Sequence, residues 1–224
     1  MAEAVTGKTV PAVQQPLTKP DAAGKGARTR ERLLDIAYDS IVRKGFASTS
    51  IEELVEAAQI TKSGFFYHFR DKNELARTLL DRFVAEDREI MDAMTARARA
   101  LSDDPLHSLL IFLNLYAEML DAMPDQHPGC LVAAITYQDQ MFDPQVRRMN
   151  ANAVREWRGR FTAWLEEIEA GRVPARPIDR EALADGFTVM VEGAIILARA
   201  LGEPALLGRQ VRLYREMVKG AFAA

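Results

Sequence analysis

With 224 residues, 48% of them hydrophobic and 27% charged, the chain is long enough for one large or two small domains around a substantial core, and its composition is that of an ordinary soluble protein. A formal net charge of −3 excludes recognition of nucleic acid by the field of the whole molecule, so any such affinity must come from local basic residues. A single cysteine, Cys130, excludes an internal disulfide framework; no apolar run approaches the roughly 20 residues of a membrane span, and the N-terminus lacks the apolar core of a signal peptide, so a reducing, cytoplasmic setting without a membrane partner is expected.

Residues 1–24, rich in Ala, Pro, Gln, Thr and Gly without apolar periodicity, read as a disordered tail. Lys25, Arg28, Arg30 and Arg32 then crowd together against Glu31 alone. Cations at a helix N-terminus oppose the helix dipole. Beside the helices that follow, the cluster therefore reads as a basic arm for phosphates or the minor groove, in preference to a plain solvated helix start. A first helix is expected over residues 29–44, with Leu33, Leu34, Ala37, Ile41 and Val42 inward, stopped by Gly45 and closed by Phe46. Ser50 and Glu53 form a capping box that opens a short helix with Ile51, Leu54, Val55 and Ala58 on one stripe. Gln59 and Ile60 break it, and Thr61 caps a second helix that Phe65 and Phe69, four apart, anchor to the core. Neighbouring residues on a helix point about 100° apart, so Lys62, Ser63, Gly64, Phe66, Tyr67 and His68 face elsewhere. This is the pattern of a helix-turn-helix, whose second helix enters the DNA major groove while hydroxyls, amides and cations fix the register on phosphates.

Over residues 28–83, and most specifically in the run ITKSGFFYHFRDK at 60–72, the sequence resembles the TetR family of bacterial transcriptional repressors. The resemblance implies that Tyr67 and His68 contact phosphates, that Lys62, Ser63 and Gly64 lie nearest the bases, and that Thr49 and Lys72 clamp the backbone on either side. Arg28, Ser50, Thr61 and Phe66 complete the expected DNA-binding set. Gln59 stands where the family usually has Gly, and a left-handed backbone there would cost Gln about 1 kcal/mol. Gly64 inside a helix is costly unless close approach of DNA compensates.

Asp71 and Glu74 form another capping box and open a long helix, with Leu75, Leu79, Leu80 and Phe83 inward, that runs into the nineties. Ser102-Asp103-Asp104-Pro105 opens a helix carrying Leu109, Leu110, Phe112, Leu113, Tyr116 and Leu120, ended by Met123-Pro124. After a loop at 125–129, a mostly apolar helix is expected over 130–142. Asp143-Pro144 opens a longer one through Val154, Trp157, Phe161, Trp164 and Ile168. Gly171, Pro174 and Pro177 interrupt the chain, Asp179 caps a helix through Leu183, Phe187, Val191 and Ile195, and after Gly202 and Pro204 a last helix reaches Phe222. No strand alternation and no repeat emerge. The expected fold is all-α: a three-helix head with the helix-turn-helix at 25–72 and a larger C-terminal helical bundle at 73–224 for ligand binding and dimerisation, about nine helices in total.

In the bundle, Phe112, Tyr116, Met119, Tyr137, Met141, Trp157 and Phe161 are plain core candidates one by one. Together they over-supply large, partly polar-tipped side chains, which suits a pocket for an apolar or aromatic small-molecule effector. Gly186, Phe187, Met190, Ala194 and Leu197, with Val211, Tyr214 and Val218 of the last helix, give an apolar face that by resemblance forms a four-helix homodimer interface; the alternative is an intramolecular core. His127 and Cys130 have a ligand-like spacing, with His107 as a third candidate, but Pro128 and Gly129 are loop chemistry, and no metal or cofactor is expected. Cys130 opens a helix whose dipole can lower a thiol pKa, so a redox or electrophile sensor is an alternative. No HExxH, Gly-rich phosphate loop or nucleophile-base pair marks an enzyme, and a helical adaptor for a partner protein is the third class. The leading expectation is a homodimeric repressor that binds double-stranded operator DNA and is released by its effector.

Overall fold

The computed structural model describes residues 24–123, 127–175 and 177–222, so all but the last residue of the tail expected at 1–24 lies outside it. Nine α-helices follow in order among the described residues, with no strand. α1 is Lys25–Lys44, α2 Ile51–Ala57, α3 Lys62–His68, α4 Lys72–Leu101, α5 Pro105–Asp121, α6 Leu131–Thr136, α7 Pro144–Gly171, α8 Arg180–Leu201 and α9 Leu206–Phe222. The capping residues read from the sequence do their work here. The side chains of Ser50, Thr61, Asp71, Asp104, Asp143 and Asp179 each accept a backbone N–H of the first turn that they precede. Gly45 leaves α1 at φ 86° and Gly202 leaves α8 at φ 70°, the positive values that favour glycine.

Two elements differ from expectation. α1 begins at Lys25, so the basic cluster forms the first turns of a helix and is not an arm ahead of one. The apolar helix expected over 130–142 is cut short: α6 ends at Thr136, and a 3-10 turn over Asp139–Met141 follows. Between them Gln138 turns to the head, where its side-chain oxygen accepts the Ala47 N–H at 3.0 Å.

Burial divides between two cores. One packs Leu33, Leu34, Ile41, Phe46, Leu54, Phe65 and Phe69 of the head against Leu75, Leu79 and Leu80 of α4, and continues into Leu131, Val132 and Ile135 of α6 and Phe142 and Val146. The other fills the body between α4, α5, α7, α8 and α9, around Phe112, Phe161, Trp164, Phe187, Val211 and Tyr214. α4 contributes to both, and Cys130 packs against both. The head therefore rests on α6 and the turn after it as well as on α4: the Phe46 ring meets Phe142 tilted at 4.2 Å, and the Arg199 guanidinium of α8 donates to Pro128 O at 2.9 Å and to Val42 O at 3.4 Å.

Candidate nucleic-acid interface and effector site

The outward face of α3 follows from its length. Two turns leave one inward direction, which Phe65 and the capping residue Phe69 occupy, both fully buried. Tyr67 is left 82% exposed, Phe66 about half exposed, and Lys62 and Ser63 on the surface. The Tyr67 ring meets His68 edge-on at 5.0 Å. Thr61 Oγ1 accepts the Gly64 N–H at 3.1 Å and keeps its own proton for an outside acceptor. A Cβ at Gly64 would meet Thr61 and Ile60 at 3.5 to 3.7 Å, ordinary contact. Packing among the described residues leaves room for a side chain there.

The cations around this face are held lightly. Lys62 Nζ lies 2.6 Å from Glu52 Oε1 on α2, and the hydrogen bond from Lys62 holds the Glu52 carboxyl below its usual range. Exposed pairs of this kind contribute little to stability, so Lys62 is free to exchange a carboxylate for a phosphate. Lys72 Nζ donates to Phe46 O at 2.9 Å and sits 4.1 Å over the Phe46 ring; burial lowers its pKa, and two of its three donors remain unspent. Ser50 is exposed, its hydroxyl accepting the Glu53 N–H.

Two expectations for this face are corrected. Thr49 is fully buried: its hydroxyl donates to Gly45 O at 3.0 Å and lies 2.9 Å from Ser40 Oγ, so it fastens the α1–α2 turn and cannot reach a phosphate. Of the basic cluster, Arg30 lies 4.9 Å over the Phe69 ring and donates to Thr78, and Arg32 donates to Ala58 O. Both brace the head, and Arg28 stays exposed. The turn between α2 and α3 is left-handed at Gln59, φ 52°, so Gln adopts there the backbone that glycine holds more cheaply.

The expected effector residues do not form one wall. Phe112 and Phe161 are fully buried in an aromatic cluster in which Phe112 meets Tyr116, Phe161, Trp164 and Phe187 at ring distances of 5.3 to 6.3 Å. Met119 packs beside that core. Tyr137 and Met141 are 72% and 46% exposed, because α6 ends before them; they belong to the surface and line no interior pocket. Trp157 donates from Nε1 to Asp87 Oδ2 at 2.7 Å. Two open clefts flank α7, one of about 360 Å³ along Thr95, Arg99, Arg160 and Glu167, the other along Arg158, Thr162, Ile178 and Glu181; neither contains an expected effector residue.

The apolar face expected to pair two copies is mostly interior. Phe187, Ala194, Val211, Tyr214 and Val218 are buried in the body core, Met190 packs on the same core, and the Gly186 backbone abuts the Tyr214 ring, whose hydroxyl donates to Leu183 O at 2.7 Å. Only Leu197 of that set is exposed. The uncovered apolar stripe lies on the other side of the same two helices, in Val189, Ile196, Leu197, Leu201, Leu213 and Met217.

Cys130 is not an activated thiol. Burial and the neighbouring Glu192 carboxyl push its pKa well above the ordinary value, opposite to the lowering expected at a helix start. His127 Nδ1 accepts the Gly129 N–H at 3.2 Å, and His107 is exposed on α5. Sequence reasoning passed over Asp87, Glu192 and Tyr38, which the fold draws inward. Their signal was legible: Asp87 falls between Phe83 and Met91 at helical spacing, and Glu192 shares the inward side of α8 with Ile195. Burial pushes both carboxyls up and raises the Tyr38 phenol to about 12.

Comparison with known proteins places both parts of the chain. Residues 33–79 match the model of bacterial regulatory proteins of the tetR family, and residues 105–211 match the C-terminal domain of LmrA/YxaF-like transcriptional regulators. The transcriptional regulator AcuR of Cereibacter sphaeroides is 24% identical over 184 residues, covering 81% of each chain. The HTH-type transcriptional regulator TtgR of Pseudomonas putida is 27% identical over 172 residues, covering 75% of this chain and 78% of that one. The crystal structure of a TetR family regulator from Agrobacterium tumefaciens superposes with a TM-score of 0.71 at 25% identity, over 89% of this chain and 100% of the other.

Proposed function

The chain belongs to the TetR family of bacterial transcriptional regulators, and from that premise we propose that it is a homodimeric repressor released from a near-palindromic operator by a small molecule in its body. The observation that carries the DNA contact is the outward face of α3, where an exposed Tyr67 stands beside Lys62, Ser63 and a Gly64 that packing among the described residues does not require. Lys62, Ser63 and Gly64 approach base edges; Arg28, Ser50, Thr61, Phe66, Tyr67, His68 and Lys72 fix the register on the sugar-phosphate backbone. The second copy docks on the exposed stripe of α8 and α9, where Val189, Ile196 and Leu197 meet their counterparts across a two-fold axis and Leu213 and Met217 extend the contact. Control passes through α4, which shares both cores, and through the contact of Arg199 and Pro128 with the end of α1. A ligand that lowers operator affinity a hundredfold must favour the released arrangement by about 2.7 kcal/mol.

The test is footprinting on the DNA immediately upstream of the chain's own coding sequence. The reading predicts two protected half-sites whose centres lie about 34 to 36 Å apart or a multiple of that. Uniform, sequence-independent protection, or a monomer by light scattering at micromolar concentration, contradicts it.

A further inference from the structure

Five helical elements of the body each send one polar or polar-tipped side chain to the seam between the two apolar cores. Asp87 comes from α4, Tyr116 from α5, Cys130 from the start of α6, Trp157 from α7 and Glu192 from α8. Asp87 accepts the Trp157 indole N–H at 2.7 Å, and Glu192 is hydrogen-bonded to the Cys130 thiol. Tyr116 is half-buried against the body core, its phenol within electrostatic range of Asp87, Cys130 and Glu192, and no hydrogen bond reaches its hydroxyl among the described residues. Neither carboxylate is in an ion pair among the described residues. Among the described residues the cation that acts on Asp87 is Arg160, itself paired with Asp92 at 2.6 Å, and none acts on Glu192. Two half-buried carboxyls without a counter-ion among the described residues are costly where they border apolar cores, and a carboxylate that accepts one hydrogen bond has room for several more.

Around these groups lie aromatic rings: Tyr116 meets Phe187 at 5.1 Å and Phe112 at 6.2 Å, and Trp157 of α7 reaches Asp87 through its indole N–H. A positive charge with an apolar body is the chemistry that satisfies both features, because the carboxylates neutralise it and the ring faces attract it. The geometry points to an effector that is an amphipathic organic cation, a protonated amine, amidinium or quaternary ammonium on an aromatic or aliphatic body, held between Asp87 and Glu192 at the seam. This rests on the repressor reading above and gives its effector a charge. It also gives the signal a route: Glu192 and Arg199 are seven residues apart on one side of α8, so a cation that draws on Glu192 acts on the same helix face that grips Pro128 and Val42 of the head support.

The experiment is calorimetric titration of the full chain with a matched series of one body and three charges: 4-phenylbutylamine, 4-phenylbutanol and 4-phenylbutyrate. The amine is expected to bind at least tenfold more tightly than the alcohol, and the carboxylate least. Glu192→Gln and Asp87→Asn should each cut amine affinity at least tenfold while leaving the alcohol within threefold. Should either variant fail to fold, the ranking of the three probes on the unaltered protein decides by itself. Equal or tighter binding of the alcohol or the carboxylate, no amine binding at millimolar concentration, or an amine preference that survives both substitutions overturns the proposal. Operator binding by the same preparation is measured in parallel. Operator bound without an amine preference sinks only the cationic effector, whereas an amine preference without operator binding sinks the repressor reading.

Discussion

The head and the body use the same aromatic residues for opposite ends. In α3, a helix of seven residues, Phe65 and Phe69 exhaust the inward direction, and Tyr67 and Phe66 are left outside. In the body, helices of 17 to 30 residues enclose their aromatics on all sides, and Phe112 alone touches four other rings. A short helix can bury only one or two large side chains, so whatever else it carries is displayed. A long helix between other helices can enclose several large side chains, although α8 and α9 still leave one apolar stripe uncovered. Display in the head and enclosure in the body follow from element length before any question of function arises.

The sharpest break of that comparison is in stability. Phe112→Ala should cost about 3 to 5 kcal/mol in denaturant unfolding, the range for emptying an aromatic site in a packed core, whereas Tyr67→Ala should stay within about 0.5 kcal/mol of the parent. Comparable losses at both positions would mean that Tyr67 is packed, and that the head is not a display surface. Next in size is the face proposed to pair two copies. Leu197→Glu places a charge on the exposed stripe and should forfeit about 2 kcal/mol of apolar burial per copy, with dimer giving way to monomer in sedimentation. Val211→Ala, on the interior side of α9, should loosen the fold without that shift.

A third comparison sets the caps against the seam by their response to pH. Asp71, Asp104 and Asp143 are held low chiefly by the backbone N–H groups that they cap, so their stabilisation is complete above the unfolded value of about 3.9 and is lost as pH falls through their folded values. Asp87 and Glu192 are raised by burial, so their cost is present above the folded values and is relieved as pH falls toward the unfolded values near about 4. Urea midpoints should therefore rise gently on acidification from neutral pH and then fall steeply in acid. Glu192→Gln should raise the neutral-pH midpoint and flatten the first limb; a midpoint lowered at neutral pH would contradict the burial of an ionised carboxyl. The smallest effect is local: Gln59→Gly, at φ 52°, should stabilise the head by about 0.5 kcal/mol, the left-handed strain removed exceeding the added freedom of the unfolded chain.

What could be read from the sequence divides along the same line. Caps, glycine stops and the anchors of α3 were legible because their partners lie three to five residues away, as with Thr61 and Gly64 or Asp71 and Glu74. Thr49 was misread because its hydroxyl is claimed by Ser40 and Gly45, a contact set by the path of the turn and not by local pattern. Tyr137 and Met141 were placed inside because an apolar run hides the break after Thr136, which the reach of Gln138 to the head accompanies. α8 and α9 carry apolar residues on both sides, so periodicity could not tell the side that packs on α5 from the side left open. Asp87 and Glu192 were overlooked because charged residues are read as outward by default, although their spacing puts them among core positions.

The claim on which the rest depends is that the outward face of α3 holds operator DNA through Tyr67 and its neighbours. Fluorescence anisotropy with the upstream duplex, for the parent protein, Tyr67→Ala and Thr49→Ala across a salt series, tests it directly. The account predicts that Tyr67→Ala weakens binding at least tenfold with the fold intact, and that affinity falls log-linearly with salt. Thr49→Ala should weaken binding only as far as it loosens the head. Undiminished affinity in folded Tyr67→Ala, at every salt concentration, would contradict it.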